Sequence, residues 1–236
     1  MSSPVVRARG LVRRYGPVDA LAGLDLEVAG GQSLLVTGDN GSGKTTLLRL
    51  LAGIGNPSGG TLEVMGGPTP LDPATRGRIG MVAHETWLYP DLSPADNLAY
   101  YARLYGVGDD SAATRTLDMV GLNHSDDRPV RNYSRGMAQL ASLARAMVHD
   151  PELLLLDEPF TGLDREAVAR VRSLLEDLKR AGTTIVMATH DIEKADGWAD
   201  RAVLVRRGRV VWDSGPTAPD AASIAGAWDE AHRERN

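Results

Sequence analysis

The chain of 236 residues contains no cysteine. Disulfides, thiolate metal sites and cysteine nucleophiles are therefore all excluded. Its 5 histidines are scattered, without a His-Glu-x-x-His arrangement, so the helical zinc-protease pattern is missing too. The longest apolar runs fall well short of a membrane span. The opening stretch SSPVVRARGLVRRY mixes charge and apolar residues too early for a secretory leader, and a cytoplasmic location is expected. Excess positive charge is also lacking: the formal balance is −5, which gives no support to a nucleic-acid surface. Arg7, Arg9, Arg13 and Arg14 are expected instead on one face of an edge strand. What is present is 42% apolar content, enough for a sizeable core in one large domain.

The segment GDNGSGKTT, Gly38 to Thr46, satisfies the pattern G-x-x-x-x-G-K-[ST] in full. Its glycines allow backbone N–H groups to approach phosphate oxygens closely, Lys44 can reach the outer phosphates, and the Thr45 hydroxyl can ligate magnesium. An apolar run, Ser33 to Thr37, precedes the loop and a helix-compatible stretch, Lys44 to Leu51, follows it. That is the strand, loop, helix context in which such a pattern binds phosphate. The candidate contacts to a nucleoside triphosphate are Asn40, Gly41, Ser42, Gly43, Lys44, Thr45 and Thr46.

A second segment, LLLLDEP, sets four leucines before Asp157 and Glu158. A short apolar run bounded by Asp150-Pro151 and Pro159 reads as a buried parallel strand ending in two carboxylates. At that strand end Asp157 is suited to holding magnesium, and Glu158 to polarising the water that attacks the terminal phosphate.

Between and around these motifs, Val5 to Tyr15 and Ala22 to Val28 alternate as strands joined through Tyr15-Gly16-Pro17. Tyr15 is suited either to stacking on an adenine ring or to a plain turn position. From Ser93-Pro94-Ala95-Asp96, which supplies a helix cap, a first-turn proline and an acid, the pattern turns helical until about His149. Ser134 and Gly136 stand at the start of a helix with a Met137, Leu140, Met147 stripe, where they suit a phosphate or a simple serine cap. Thr183 to Thr189 is a further buried strand, and His190 at its end is placed near the same crevice as the phosphate loop. The hairpin Ala202 to Val205 and Gly208 to Asp213 closes the core, and in the tail beyond Pro216 Trp228 is the one large apolar anchor expected.

In this order, Tyr15, GDNGSGKTT, YSRGM, LLLLDEP, Gly162-Leu163-Asp164 and His190 resemble the nucleotide-binding subunit of an ATP-binding-cassette (ABC) transporter, over essentially Val5 to Asp213. The resemblance implies an α/β fold of the phosphate-loop NTPase type, with an antiparallel β layer and an inserted helical subdomain. It divides a single domain, 1–236, into a core (1–93 and 150–215), a helical signature subdomain (94–149) and a C-terminal helical tail (216–236). By the same resemblance ATP and Mg2+ are the cofactors, and Tyr15 stacks on adenine. Ser134 and Gly136 contact phosphate across a homodimer or a pair with a second ABC ATPase. Thr45 and Asp157 serve the metal, Glu158 is the catalytic carboxylate, Asp164 lies in a dimer-contact loop and His190 is the switch histidine. The expected partner is an integral membrane transporter subunit, facing Trp87 to Tyr89, with the chain peripheral on the cytoplasmic face of the membrane and no nucleic acid involved. Two positions depart from the family. LSGGQ reads YSRGM, and the usual glutamine after the short strand is His84, which can ligate magnesium or orient water, or can merely steady its loop. HETWLYPDLSPADNLAYYARLYG looks most like heme-exporting ATPases of cytochrome c maturation, although subunits for drugs, sodium or copper share much of it. A small-molecule kinase and a non-transport regulatory ATPase are the rival readings.

Overall fold

A computed structural model describes residues 4–109, 111–195 and 197–233. Two sheets organise it. The first is antiparallel, ordered β2-β1-β4-β5, from β1 (Pro4–Tyr15), β2 (Val18–Ala29), β4 (Gly59–Val64) and β5 (Gly67–Pro68). The second is ordered β10-β9-β3-β8-β7-β6, from β3 (Ser33–Thr37), β6 (Ile79–Val82), β7 (Leu153–Asp157), β8 (Thr184–Ala188), β9 (Arg201–Arg206) and β10 (Arg209–Asp213). All its pairings are parallel except that of β10 with β9.

The helices are α1 (Lys44–Leu51), α2 (Pro73–Arg76), α3 (Pro94–Leu104), α4 (Ala112–Met119), α5 (Arg135–Met147), α6 (Arg165–Arg180), α7 (Ile192–Ala195) and α8 (Ala221–Arg233). Each longer helix begins where its sequence supplies a cap. Ser93 accepts from Asp96 N–H with Pro94 in the first turn, Ser134 accepts from Met137 N–H, and Asp164 accepts from Ala167 N–H.

The unbroken apolar runs have a physical reason: the parallel sheet is covered on both faces. On β7, Leu153 and Leu155 face the core shared with α1 and the antiparallel sheet, whereas Leu154 and Leu156 face the core of α3 to α6. On β8, Val186 and Ala188 divide from Ile185 and Met187 in the same way. Each leucine removed from water here contributes about 1.5–3 kcal/mol. Gly80 on β6 lets α5 lie directly against the sheet, because a Cβ there would sit 2.2 Å from the Ala146 carbonyl oxygen.

Three expectations need correction. The arginine-rich strand is not an edge: β1 lies between β2 and β4, so Arg7 pairs with Glu27 and Glu63 on both neighbours and Arg9 with Glu27. Strand β2 begins at Val18 rather than Ala22, because Gly16 takes a positive φ of 56° and lets Tyr15 pair with Val18. In the tail, Ile224 at 1% exposure and not Trp228 alone anchors α8, together with Ala227 and Ala231 against Leu204 of β9.

His149, just after α5, joins the helical segment to β6. Its ring stacks on Tyr105 at 3.8 Å between centroids, and Nε2–H donates to the Ile79 carbonyl at 3.2 Å. Nδ1 is buried without a partner. Burial first, and the nearby Arg145 charge second, push its pKa down to about 4 against the Ile79 bond, which acts the other way. Because the folded value lies below the ordinary 6.5, this stabilisation is complete above pH 6.5 and is lost as pH falls toward 4. Urea denaturation should therefore show a loss on the order of 2–3 kcal/mol across that window. His149→Phe should flatten that part of the profile; an unchanged pH dependence in the variant would refute the assignment.

Candidate nucleotide-binding site

The loop between β3 and α1 closes over its own backbone. Gly38 and Gly43 take φ values of 149° and 114°. A Cβ at Gly38 would meet the Val205 carbonyl at 2.1 Å, and one at Gly43 the Ala20 carbonyl at 2.5 Å. The loop is thus wedged between the ends of β9 and β2, and Gly38 and Gly43 are required by contact as well as by φ. Ser42 is buried, its carbonyl accepts from Gly208 N–H at 2.8 Å, and its hydroxyl has no partner.

A cavity of about 280 Å³ opens above the loop, lined by Ala20, Asn40, Gly41, Gly43, Lys44, Thr45, Thr46, Asp157 and Glu158. The two motifs, more than a hundred residues apart in sequence, meet here because β3 and β7 flank β8 in the sheet. Lys44 is 7% exposed, and its ammonium donates to the carbonyls of Gly38 at 2.7 Å and Asp39 at 3.0 Å. Burial lowers its pKa, while Glu158, Asp157 and Asp39 oppose the shift through their charges. Asp157, 3% exposed, is raised mainly by burial and next held down by a hydrogen bond from Thr45. A carboxylate and a hydroxyl paired beside a phosphate-shaped cradle suit a hard divalent cation that completes its shell with phosphate oxygens.

Glu158 occupies a left-handed backbone position, φ 52°. Three donors orient its carboxylate: Thr189 Oγ1 at 2.8 Å on Oε2, and His190 N–H at 3.0 Å and Nδ1 at 2.7 Å on Oε1. His190 therefore reaches the cavity through Glu158. His84 is exposed and lines a smaller cavity of about 80 Å³ with Asp157, Glu158, Arg135, Gln139 and Thr161.

The remaining predicted residues stand apart from the loop cavity. Tyr15 is 48% exposed at its turn, with the Arg13 guanidinium 4.7 Å from its ring centre. Ser134 caps α5, and Gly136 packs against the Phe160 to Asp164 loop, where a Cβ would meet the Gly162 carbonyl at 2.7 Å. Sequence reasoning missed Thr189 and Arg135. A hydroxyl closing a buried strand was the available signal for the first; nothing local marks the second.

The pattern of an ABC transporter domain matches residues 21–161, which hold the loop, the signature and the acidic strand end. The chain belongs to the ABC transporter family. It is an ATP-binding cassette and an ATPase. The cassette is 37% identical to the Nod factor export ATP-binding protein I of Cupriavidus metallidurans, over 90% of this chain and 71% of that protein. It is 38% identical to the daunorubicin resistance ATP-binding protein DrrA3 of Streptomyces coeruleorubidus, over 89% and 68%. Against the Fe(3+) ions import ATP-binding protein FbpC of Mesorhizobium japonicum it is 40% identical, over 85% of this chain and 58% of that one. Among solved structures, the dimeric post-hydrolysis state of an ATP-binding cassette bound to ADP and Pi superposes with a TM-score of 0.82 at 25% identity, over 89% of this chain and 97% of that one. CbiO1 of Clostridium perfringens, part of the ABC transporter complex CbiONQ, gives 0.79 at 26% identity, over 99% and 94%. No helix among the described residues is long and apolar enough to cross a membrane.

Thr189→Val removes one of the three donors on Glu158 while keeping the side-chain volume. Turnover is expected to fall roughly 10-fold with nucleotide affinity unchanged, the loss of one hydrogen bond to a charged group. Steady-state hydrolysis alongside nucleotide titration checks it; parental turnover would show that Thr189 does not position the carboxylate.

Proposed function

We propose that the chain is the ATP-hydrolysing subunit of an exporter, working as a head-to-tail pair of cassettes against an integral membrane partner on the cytoplasmic face. The observation that carries this reading is the Glu158 carboxylate, held by three donors in the lining of the cavity that also contains Lys44, Thr45 and Asp157. Lys44 and the backbone N–H groups of the loop bind the triphosphate, and Thr45 and Asp157 hold magnesium. When bound, that ion neutralises charge on the phosphate oxygens. Glu158 accepts a proton from the attacking water. His190 spends Nδ1 on Glu158, which leaves Nε2 for a terminal phosphate oxygen, so loss of that phosphate is felt at the base itself.

Ser134 and Gly136 lie outside the chain's own loop cavity, which supports their use on the nucleotide of the paired cassette. Tyr15, exposed at its turn, is assigned to adenine. A relative named for Nod factor export supports the export direction, and one named for Fe(3+) ions import points the other way. Heme export is the narrowest form of the reading and gains nothing from these relatives. Cassettes similar to this one at 37, 38 and 40% identity carry the names of three different cargoes, so we assign cargo choice to the membrane partner.

Glu158→Gln should abolish turnover, keep ATP binding and yield an ATP-dependent dimer visible by light scattering, because the amide keeps the shape but takes no proton and removes a negative charge beside the triphosphate. Near-normal hydrolysis in this variant would refute the base assignment.

His84 shares a cavity with both carboxylates, and we assign it to the magnesium shell or the attacking water. His84→Ala should cut turnover roughly 10- to 100-fold with little change in affinity, and His84→Gln should restore much of the rate. Turnover of His84→Ala within about twofold of the parent, measured with the membrane partner at saturating ATP and magnesium, would reduce His84 to a packing role.

A further inference from the structure

The C-terminal helix reaches back to the phosphate loop. Helix α8 is seated on β9 through Ala227 and Ala231 against Leu204, with Trp212 and Trp228 packed alongside. From this base His232 directs Nε2 at the Asp39 carboxylate, 3.2 Å away. Its Nδ1 meets the Trp228 carbonyl at 2.7 Å, and its ring lies parallel to the Trp228 indole, 5.4 Å between centroids. Both ring nitrogens thus face acceptor oxygens.

Asp39 is the second residue of the loop, and its own carbonyl accepts from the Lys44 ammonium at 3.0 Å. The Asp39 carboxylate is near enough for its charge to act on the buried Lys44 ammonium, and a negative charge at that range opposes a polyphosphate brought to Lys44. His232 is the ion-pair partner of the Asp39 carboxylate among the described residues, and the Lys44 ammonium acts on it only through its charge.

We propose that His232 is a positioning residue for nucleotide binding: it draws the Asp39 carboxylate toward α8 and neutralises it, so that the phosphate loop receives a polyphosphate without a competing negative charge. The proposal rests on residues 38–46 being the phosphate site. It makes the C-terminal helix part of the nucleotide site, and any event that lifts α8 from β9 lowers nucleotide affinity through Asp39.

Titration of the full chain with Mg2+-ADP by calorimetry tests it, since ADP fills the loop without turnover. His232→Ala should weaken binding roughly 2- to 5-fold, the size of one partly exposed charge pair. Asp39→Asn should bind at least as tightly as the parent, and adding His232→Ala to Asp39→Asn should change nothing further. Equal losses from His232→Ala with and without Asp39→Asn would overturn the proposal, leaving His232 a mere support of α8, as would parental affinity in His232→Ala. Lys44→Ala separates the two levels: unchanged ADP affinity in that variant would sink the phosphate-site reading itself, whereas its loss beside an unaffected His232→Ala would sink only the role of His232.

Discussion

Lys44 is a cation taken almost entirely out of water, and the arrangement of the site follows from keeping it there. An ammonium desolvated this far is tolerated only with direct acceptors and opposite charge nearby. The carbonyls of Gly38 and Asp39 supply the acceptors, and Glu158, Asp157 and Asp39 supply the field. The requirement runs outward through the fold. Those carbonyls face Lys44 because Gly38 and Gly43 let the loop touch the ends of β9 and β2. The carboxylates are in reach because β7 joins the parallel sheet through β8. Asp157 is itself desolvated and depends on Thr45, the next residue after Lys44.

The parts of the site that could be read from sequence are those held by local chain geometry. A loop whose backbone does the binding must carry its glycines and lysine at fixed spacing, and a buried parallel strand must be apolar up to the point where it leaves the sheet. Gly38 to Thr46 and Leu153 to Glu158 are of this kind, and the cavity gathers most of them. Helix starts were equally legible, since Ser93, Ser134 and Asp164 each cap the next turn within the same few residues. Pairings across the fold were not. Nothing in the alternation of β1 distinguishes an edge from an interior strand, because Arg7 and Arg9 are solvated in either; only the carboxylates of Glu27 and Glu63 on two neighbouring strands reveal the difference. Thr189 and His232 act on Glu158 and Asp39 over long sequence separations, and each residue alone reads as a strand end or a surface helix position.

The loop carrying His84 shows how the helical segment and the core are held in register. Arg145 of α5 is 4% exposed and, among the described contacts, pairs with no carboxylate. Its guanidinium donates to the Met81 carbonyl at the end of β6 and lies 5.4 Å from the Trp87 ring centre and 5.3 Å from that of Tyr101. A buried cation is costly, and two aromatic faces with one carbonyl are what offset the cost here. Trp87 has a φ of 53°, a position worth roughly 1–3 kcal/mol of strain for a residue with a side chain. The strain is tolerated because the Trp87 carbonyl accepts from Tyr101 of α3 and the neighbouring Thr86 carbonyl accepts from Ser142 of α5.

At Tyr89, two residues after Trp87, the wholly buried Asn97 of α3 closes the loop by accepting from Tyr89 N–H at 2.7 Å and donating to its carbonyl at 3.1 Å. The stretch from Thr86 to Tyr89 is therefore tied to both α3 and α5. One end lies beside Asp157 and Glu158, and the other presents Tyr89 and Tyr100, stacked edge to face at 5.1 Å, to solvent. Displacing Trp87 would cost the buried Arg145 guanidinium one of its two aromatic faces, which resists movement of the segment at that point. The same buried cation that looks like a stability cost thus joins α5, β6, α3 and the Trp87 loop in one packed unit.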